Sequence, residues 1–210
     1  MESSLARRAP DDVTLDTGDR RHALDLLLSR RSVGALHDPA PDGRDLELIL
    51  ELGLRAPDHG RLRPWRFVLI RGEARTGFAD RLVAAARRRD PDAPPALLER
   101  YRAWPLRTPL LIGVGAVVRP NHIIPEGEQV LSAAAAAMNM LNAVHLLGYA
   151  GIWVTGPNAY DPGVNASLGF EAPSRLVGFL AVGTARTMVA AERPSREGHI
   201  VEWTGASNEM

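Results

Sequence analysis

Three stretches of the chain gather side chains able to do chemistry, and each points to binding rather than to a protein nucleophile. Arg30-Arg31-Ser32 sets two guanidiniums beside a hydroxyl. That donor-rich cluster suits a phosphate, because a guanidinium offers a planar fork for bidentate contacts. The run also falls at the end of an expected helix, where two cations equally serve to cap the last carbonyls. Arg55-Ala-Pro-Asp-His-Gly-Arg-Leu-Arg-Pro-Trp65 is the second stretch. Arg55, His59, Arg61 and Arg63 could together neutralise a phosphate or the anionic edge of a cofactor, and a solvated basic loop reads the same way. In the third, Gly151-Ile-Trp-Val-Thr-Gly156, glycine on both sides of a short strand permits close backbone approach to a planar ligand. Ordinary sheet packing with Trp153 in the core is the alternative there. Two cationic clusters in one neutral chain favour an anion site without naming the anion.

The elements that must position these stretches follow from periodicity and breakers. Residues 1–20 mix Ser, Arg, Pro and Asp without a period and read as a loose tail. His22–Arg30 is a short helix that runs into the arginine pair. Asp45–Arg55 carries Leu46, Ile49, Leu50 and Leu54 at helical spacing and stops before Pro57. Trp65–Arg71 is a strand, Glu73–Arg89 an amphipathic helix and Ala96–Trp104 another helix. Pro109–Val118 reads as a strand buried on both faces. Glu126–Leu147 is the longest helix, with a face of Ala133, Ala136, Ala137, Met140, Leu141, Val144 and Leu147 suited to a core or a dimer spine. Ile152–Thr155 and Leu176–Val182 are strands, and Pro162–Leu168 a short helix. Beyond residue 184 the composition turns polar, with Val201 and Trp203 as scattered anchors. Strands are few, none is followed by GxGxxG, and the pattern suits an α+β domain of helices on a mainly antiparallel sheet.

Composition removes several chemistries. The chain has no cysteine, so disulfides, thiolate nucleophiles and cysteine-held metals are excluded. All 25 basic residues are arginine, which removes a Schiff-base lysine and a Walker-type phosphate loop. With 25 acidic residues in balance, no general attraction to nucleic acid or to an anionic membrane is expected. The uncharged stretch 129–160 is rich in Ala and Gly and broken by Gly148, Gly151 and Pro157, so it reads as a buried helix and strand and not as a membrane span. No signal peptide is visible, and a cytoplasmic protein is the default expectation. The six histidines are scattered without ligand spacing, so no metal is expected; His122 could cap the long helix or edge a pocket.

Taken in order, the motifs resemble the short, YdjA-type members of the nitroreductase family. They are Arg30–Ser32, the RxAPDHxxxxPWRF block at Arg55–Phe67, Asn121–Gln129 ahead of the Ala/Met-rich helix, GIWVTG at Gly151–Gly156, and VGFLAVGT at Val177–Thr184. One short member of the family carries an arginine between the tryptophan and the hydroxyl residue of the fourth motif. This chain has Val154 there, one cation fewer.

The resemblance implies an α+β homodimer with one FMN in each of two clefts at the subunit interface. It implies hydride transfer from NAD(P)H and, in alternation, reduction of a small nitroaromatic or quinone-like acceptor, with the chemistry carried by FMN and no catalytic side chain. Carried onto this sequence, Arg30, Arg31 and Ser32 would contact the FMN phosphate and the polar edge of its ring. Arg55 and His59 would complete the anion site, and Trp153, Val154 and Thr155 would line the flavin. The family domain would span 22–185, between an N-terminal tail over 1–21 and a C-terminal tail over 186–210 that could pack on the partner subunit. A specialised dehydrogenase or dehalogenase of the same fold and a non-catalytic flavin-binding scaffold are the other readings.

Overall fold

Alternation along three strands decides how the layers form. The computed structural model describes residues 16–187, 193–203 and 205. Its elements run α1 (Thr17–Ser29), β1 (Leu36–His37), α2 (Gly43–Gly53), β2 (Trp65–Arg71), α3 (Ala74–Arg89), α4 (Pro95–Arg107), β3 (Leu110–Ala116), α5 (Glu126–Leu146), β4 (Ala150–Val154), α6 (Gly156–Ala159), α7 (Pro162–Ser167) and β5 (Arg175–Ala185). In β3 every residue is buried, as expected for a strand covered on both faces. Leu110, Ile112 and Val114 join Leu180 and Val182 of β5 on one face, packed against Ile49 of α2 and Ala137, Met140, Leu141 and Val144 of α5. Leu111, Phe179 and Ala181 face the other way, against Phe78, Leu82 and Ala85 of α3 and Val164 of α7. Period two in the strands thus feeds two helical layers.

All the strand pairings are antiparallel. The order is β2, β3, β5, and the far side of β5 pairs first with β4 and then, through its last residues, with β1. This is the α+β class with an antiparallel sheet that the sequence leads one to expect. The strand Trp65–Arg71 has the expected bounds. The long helix ends one residue earlier than expected, and its anticipated core face is buried from Ala133 to Val144.

Two expectations need correction, and one element had no sign in the sequence. First, α1 begins at Thr17, so residues 17–21 are helical and not tail; residues 1–15 lie outside the described residues. Asp16 starts the helix by accepting the Asp19 N–H at 2.9 Å, the usual work of an N-cap carboxylate. Because α1 buries no residue in its own chain, no apolar period marks its first turns. Second, Val201 and Trp203 do not anchor the C-terminal segment, being 84% and 83% exposed. The element without a sign is β1, which carries too few residues for any sequence pattern. Among the described residues no helix is long and apolar enough to cross a membrane.

One polar cluster ties the lower ends of α3, α6 and α7 together. Asp161 caps α7 through the Val164 N–H at 3.0 Å. It also pairs with Arg88 at 2.8 Å and Arg89 at 3.0 Å, with its own side chain only 5% exposed. Burial pushes its pKa up. The Val164 N–H and the two guanidiniums outweigh that and hold it below the ordinary carboxylate value. A depressed native pKa means that the contribution is complete above the unfolded value of 3.8 and is lost as pH falls through the folded one. Asp161→Asn is therefore expected to cost about 2 kcal/mol in neutral urea melts. The deficit should shrink in acid, once the wild-type carboxyl is protonated as well. A deficit that stays constant below pH 3.8 would remove the carboxylate charge from this account.

Candidate functional site

Arg30-Arg31-Ser32 is held where α1 meets the C-terminal end of α5. Arg30 caps α1 through its N–H to the Leu27 carbonyl at 3.2 Å. His145 Nε2 lies 2.9 Å from the Leu26 carbonyl and 2.8 Å from Ser29 Oγ. Since a carbonyl only accepts, Nε2 carries the proton in this arrangement. On the other side the Val33 N–H donates to the Gly151 carbonyl at 3.1 Å, which ties the run to the start of β4. Arg30 and Arg31 are half-buried and Ser32 is exposed. With His145, Tyr149, Ala150 and Gly151 the two arginines line a small notch of about 20 Å3. Tyr149 donates to Asp45 at 3.0 Å, and that bond raises its pKa, so it stays a neutral hydroxyl. The lining of the notch thus holds two cations and no carboxylate.

A further arginine, not identified from the sequence, joins this corner. Arg193 donates to the Arg30 carbonyl at 3.1 Å. It stands in a polar segment with no periodicity, and its only local sign is the neighbouring Arg196.

The loop from Arg55 to Trp65 runs down α5, away from the notch. Asn139 donates to the Leu52 carbonyl at 3.2 Å, and Ser132 donates to the Pro57 carbonyl at 2.7 Å. His59 Nδ1 then meets Glu128 at 2.7 Å, near the start of the helix. At 1.5 Å per residue, Glu128 and His145 stand about 25 Å apart along α5. Arg55 lies between these extremes. One chain therefore does not bring His59 to Arg30 and Arg31, and the expectation that Arg55 and His59 complete that anion site is not met within a single copy. Spacing along a sequence carries no information about which end of a helix a loop will reach.

The turn in this loop is strained and tightly held. Gly60, Arg61 and Arg63 have φ of 67°, 56° and 50°. The arginines pay roughly 1 kcal/mol or more each for left-handed backbone. Asp58 offsets part of this by accepting the Arg63 N–H at 2.7 Å. A Cβ on Gly60 would stand 2.3 Å from Ile124 Cδ1. Ile124 is itself fixed by buried Gln129, which donates to the carbonyls of Ile124 and Arg119 and accepts the Arg119 N–H. His122 accepts the Ile124 N–H at 3.1 Å, so it closes this turn and does not cap the helix. The Asn121–Gln129 motif is thus a buttress for the Arg55–Trp65 loop.

Trp153, Val154 and Thr155 are half-buried and lead away from the arginine notch along β4. Trp153 pairs with Leu180 and Val154 with Phe179. The Trp153 indole lies across Gly178, where a Cβ would come within 2.1 Å of Nε1. Thr155 follows the last strand residue, Val154, and precedes Gly156 at φ 67°. At the rise of an extended strand Thr155 is about 13 Å beyond Gly151, so one chain sets a cationic end and a flat wall along one line.

The chain has counterparts among known proteins. It shares its fold with a nitroreductase-like family protein from Bacillus cereus (TM-score 0.71, 23% identity, 87% of this chain and 96% of that one). It also matches a nitroreductase from Desulfovibrio desulfuricans solved in complex with FMN (TM-score 0.68, 22% identity, 86% and 96%). The fold is that of the nitroreductases. In sequence it is 40% identical over 162 residues to YdjA of Escherichia coli (strain K12), assigned by inference as an NAD(P)H nitroreductase, covering 77% of this chain and 87% of that protein. The nitroreductase family model matches residues 27–184. The chain belongs to the nitroreductase family and is an oxidoreductase in kind.

Gly60→Ala is expected to cost about 2 kcal/mol, through the forced backbone and the contact with Ile124. That should lower Tm by roughly 4–8 °C in calorimetry. Combined with Ile124→Ala, the two losses should be less than additive, because the contact is then already relieved. Strict additivity would show that Ile124 does not clamp the turn.

Proposed function

We propose that two copies of this chain bind FMN between them and act as an NAD(P)H-dependent reductase of small nitroaromatic or quinone-like acceptors. When bound, FMN supplies the redox chemistry, accepting a hydride from NAD(P)H and passing the reducing equivalents on in an alternating, ping-pong cycle. Arg30 and Arg31, with Ser32 beside them, hold the phosphate and the polar edge of the ring. Their fixed positive charge also favours the negative charge that accumulates on reduction. Trp153, Val154 and Thr155 form the wall along the ring. From the second copy, the loop carrying Arg55 and His59 closes the site and excludes water.

The separation of the two cationic segments along α5 supports this reading most directly. A cofactor site encloses roughly 300–1,000 Å3, and the arginine notch falls below that. One chain therefore supplies an anion-binding corner and leaves the rest of the bed to another. The surface agrees. On α5, Leu131 and Met138 lie seven residues apart on one face and are 68% and 40% exposed, with Leu146 further along at 44%. On α1, Leu24 and Leu28 are 60% and 70% exposed. Contiguous apolar surface of this kind marks an association site. Exposed Val201 and Trp203 give the C-terminal segment the means to pack on the same partner. The name of YdjA supports a nicotinamide nucleotide as reductant.

The test begins with an absorbance spectrum of the purified protein, before and after anaerobic NADPH and then NADH. A flavin spectrum that bleaches is expected. A colourless protein that cannot be reconstituted with FMN would refute the reading. The shared site has its own check. Arg31→Ala and Arg55→Ala chains should each be poorly active as homodimers. Mixed after unfolding and refolding, they should recover about a quarter of wild-type activity, because half the dimers then carry one intact site. A mixture no more active than its parents would place both arginines in the same single-chain site, or Arg55 outside it.

A further inference from the structure

We propose that Arg61 and Arg63 form a clamp for phosphate oxygens of the reduced nicotinamide nucleotide. This rests on the proposed function, because it places the Arg55–Trp65 loop at a site shared by two chains. In that reading Arg30, Arg31 and Ser32 hold FMN, β4 forms the wall and the loop with Arg55 and His59 closes the site, which leaves Arg61 and Arg63 without a role.

Their setting is that of a prepared binding turn and not of loose surface charge. Both residues sit in left-handed backbone, directly after Gly60 and on either side of Leu62. Leu62 is 8% exposed and anchors the turn between them. Asp58, Ile124 and the Ser132–Pro57 bond hold the remaining sides. Rigid backbone means that little freedom is lost when the side chains engage a ligand. Strain of this sort at neighbouring non-glycine positions persists only where surrounding structure enforces it, and it gathers at ligand clamps.

The charges on this turn are also unspent. Among the described residues neither guanidinium has a hydrogen bond or ion pair, and both residues are exposed. The nearby carboxylates are engaged elsewhere. Asp58 accepts the Arg63 backbone N–H, Glu128 takes His59, and Glu126 takes Arg175. Arg119 adds a further exposed cation on the adjoining strand end, where the Val117 N–H reaches the Pro64 carbonyl at 2.6 Å. A planar guanidinium fork matches phosphate oxygens in shape and charge. Such oxygens occur on the nucleotide as the diphosphate, common to NADH and NADPH, and as the 2′-phosphate, present in NADPH alone.

Asparagine tolerates left-handed backbone, so Arg61→Asn, Arg63→Asn and the double variant keep the turn while removing the forks. Two readouts are needed: steady-state KM for NADPH and for NADH, and calorimetric affinity for adenosine 2′,5′-bisphosphate and for ADP. In the double variant the KM for NADPH should rise about tenfold or more. If the clamp reads the 2′-phosphate, the KM for NADH stays within about twofold, and only adenosine 2′,5′-bisphosphate binds more weakly. If it reads the diphosphate, both KM values rise together and ADP binding weakens as well. KM values and both affinities within about twofold of wild type, with Tm retained, would overturn the clamp. The calorimetric arm needs no flavin turnover. A wild-type protein that neither bleaches nor binds FMN would therefore defeat the proposed function, while the nucleotide affinities still decide on the clamp.

Discussion

The burial of α5 against the sheet is the constraint on which the other features depend. Its small residues allow close contact. A Cβ on Gly53 of α2 would already press on Met140 and Phe67 at 2.9 Å, and one on Gly151 of β4 would stand 3.3 Å from Leu141. Once one face of α5 is fixed in the core, its polar side chains become fixed attachment points. His145 takes the end of α1, Asn139 the end of α2, Ser132 the Pro57 carbonyl, Gln129 the 119–124 turn and Glu128 the His59 ring. Each bond is modest alone, about 1 kcal/mol. Spaced along one rigid rod, they set where every candidate binding segment lies.

That arrangement explains how left-handed arginines are tolerated. Backbone strain at Arg61 and Arg63 would relax in a free loop. Here the loop is closed by the Asp58 carboxylate and covered by Ile124, and Ile124 in turn is held through Gln129. Gln129 is 1% exposed, so breaking its contacts would strand polar groups away from water. The strain is thus held in place by a buried amide that itself depends on the position of α5.

Much of this fold was legible in the sequence, because the deciding forces are local or periodic. The β2 run of apolar residues between Pro64 and Gly72, and the helical face of α5, could each be read directly. The antiparallel α+β class followed from the order of the elements. What escaped was set by contacts with no local sign. The start of α1 rests on one capping carboxylate, since that helix buries nothing in its own chain. Arg193 reaches Arg30 across 163 positions of sequence. Among candidate site residues, the identities of Arg30, Arg31, Ser32, Arg55, His59, Trp153, Val154 and Thr155 were readable as donors and walls. Their distribution along α5 was not, because a motif list has no axis.

The distribution has an electrostatic logic. Arg30, Arg31 and Arg193 gather at one end of α5, and Arg55, Arg61 and Arg63 lie toward the other. Placed in one pocket of a single chain, six guanidiniums would repel one another across a partly desolvated space, where effective dielectric is low and screening weak. Kept apart along the helix, the two groups of guanidiniums do not repel one another at close range. On the proposed reading, a phosphate-bearing ligand held by both chains is then a link in the assembly as well as a cofactor. Its binding energy adds to the stability of the dimer by mass action, and the apolar faces of α1 and α5 need supply only the remainder. On the same reading the absence of a cation at Val154 is tolerable, since a site assembled from two basic corners would already carry positive charge to spare.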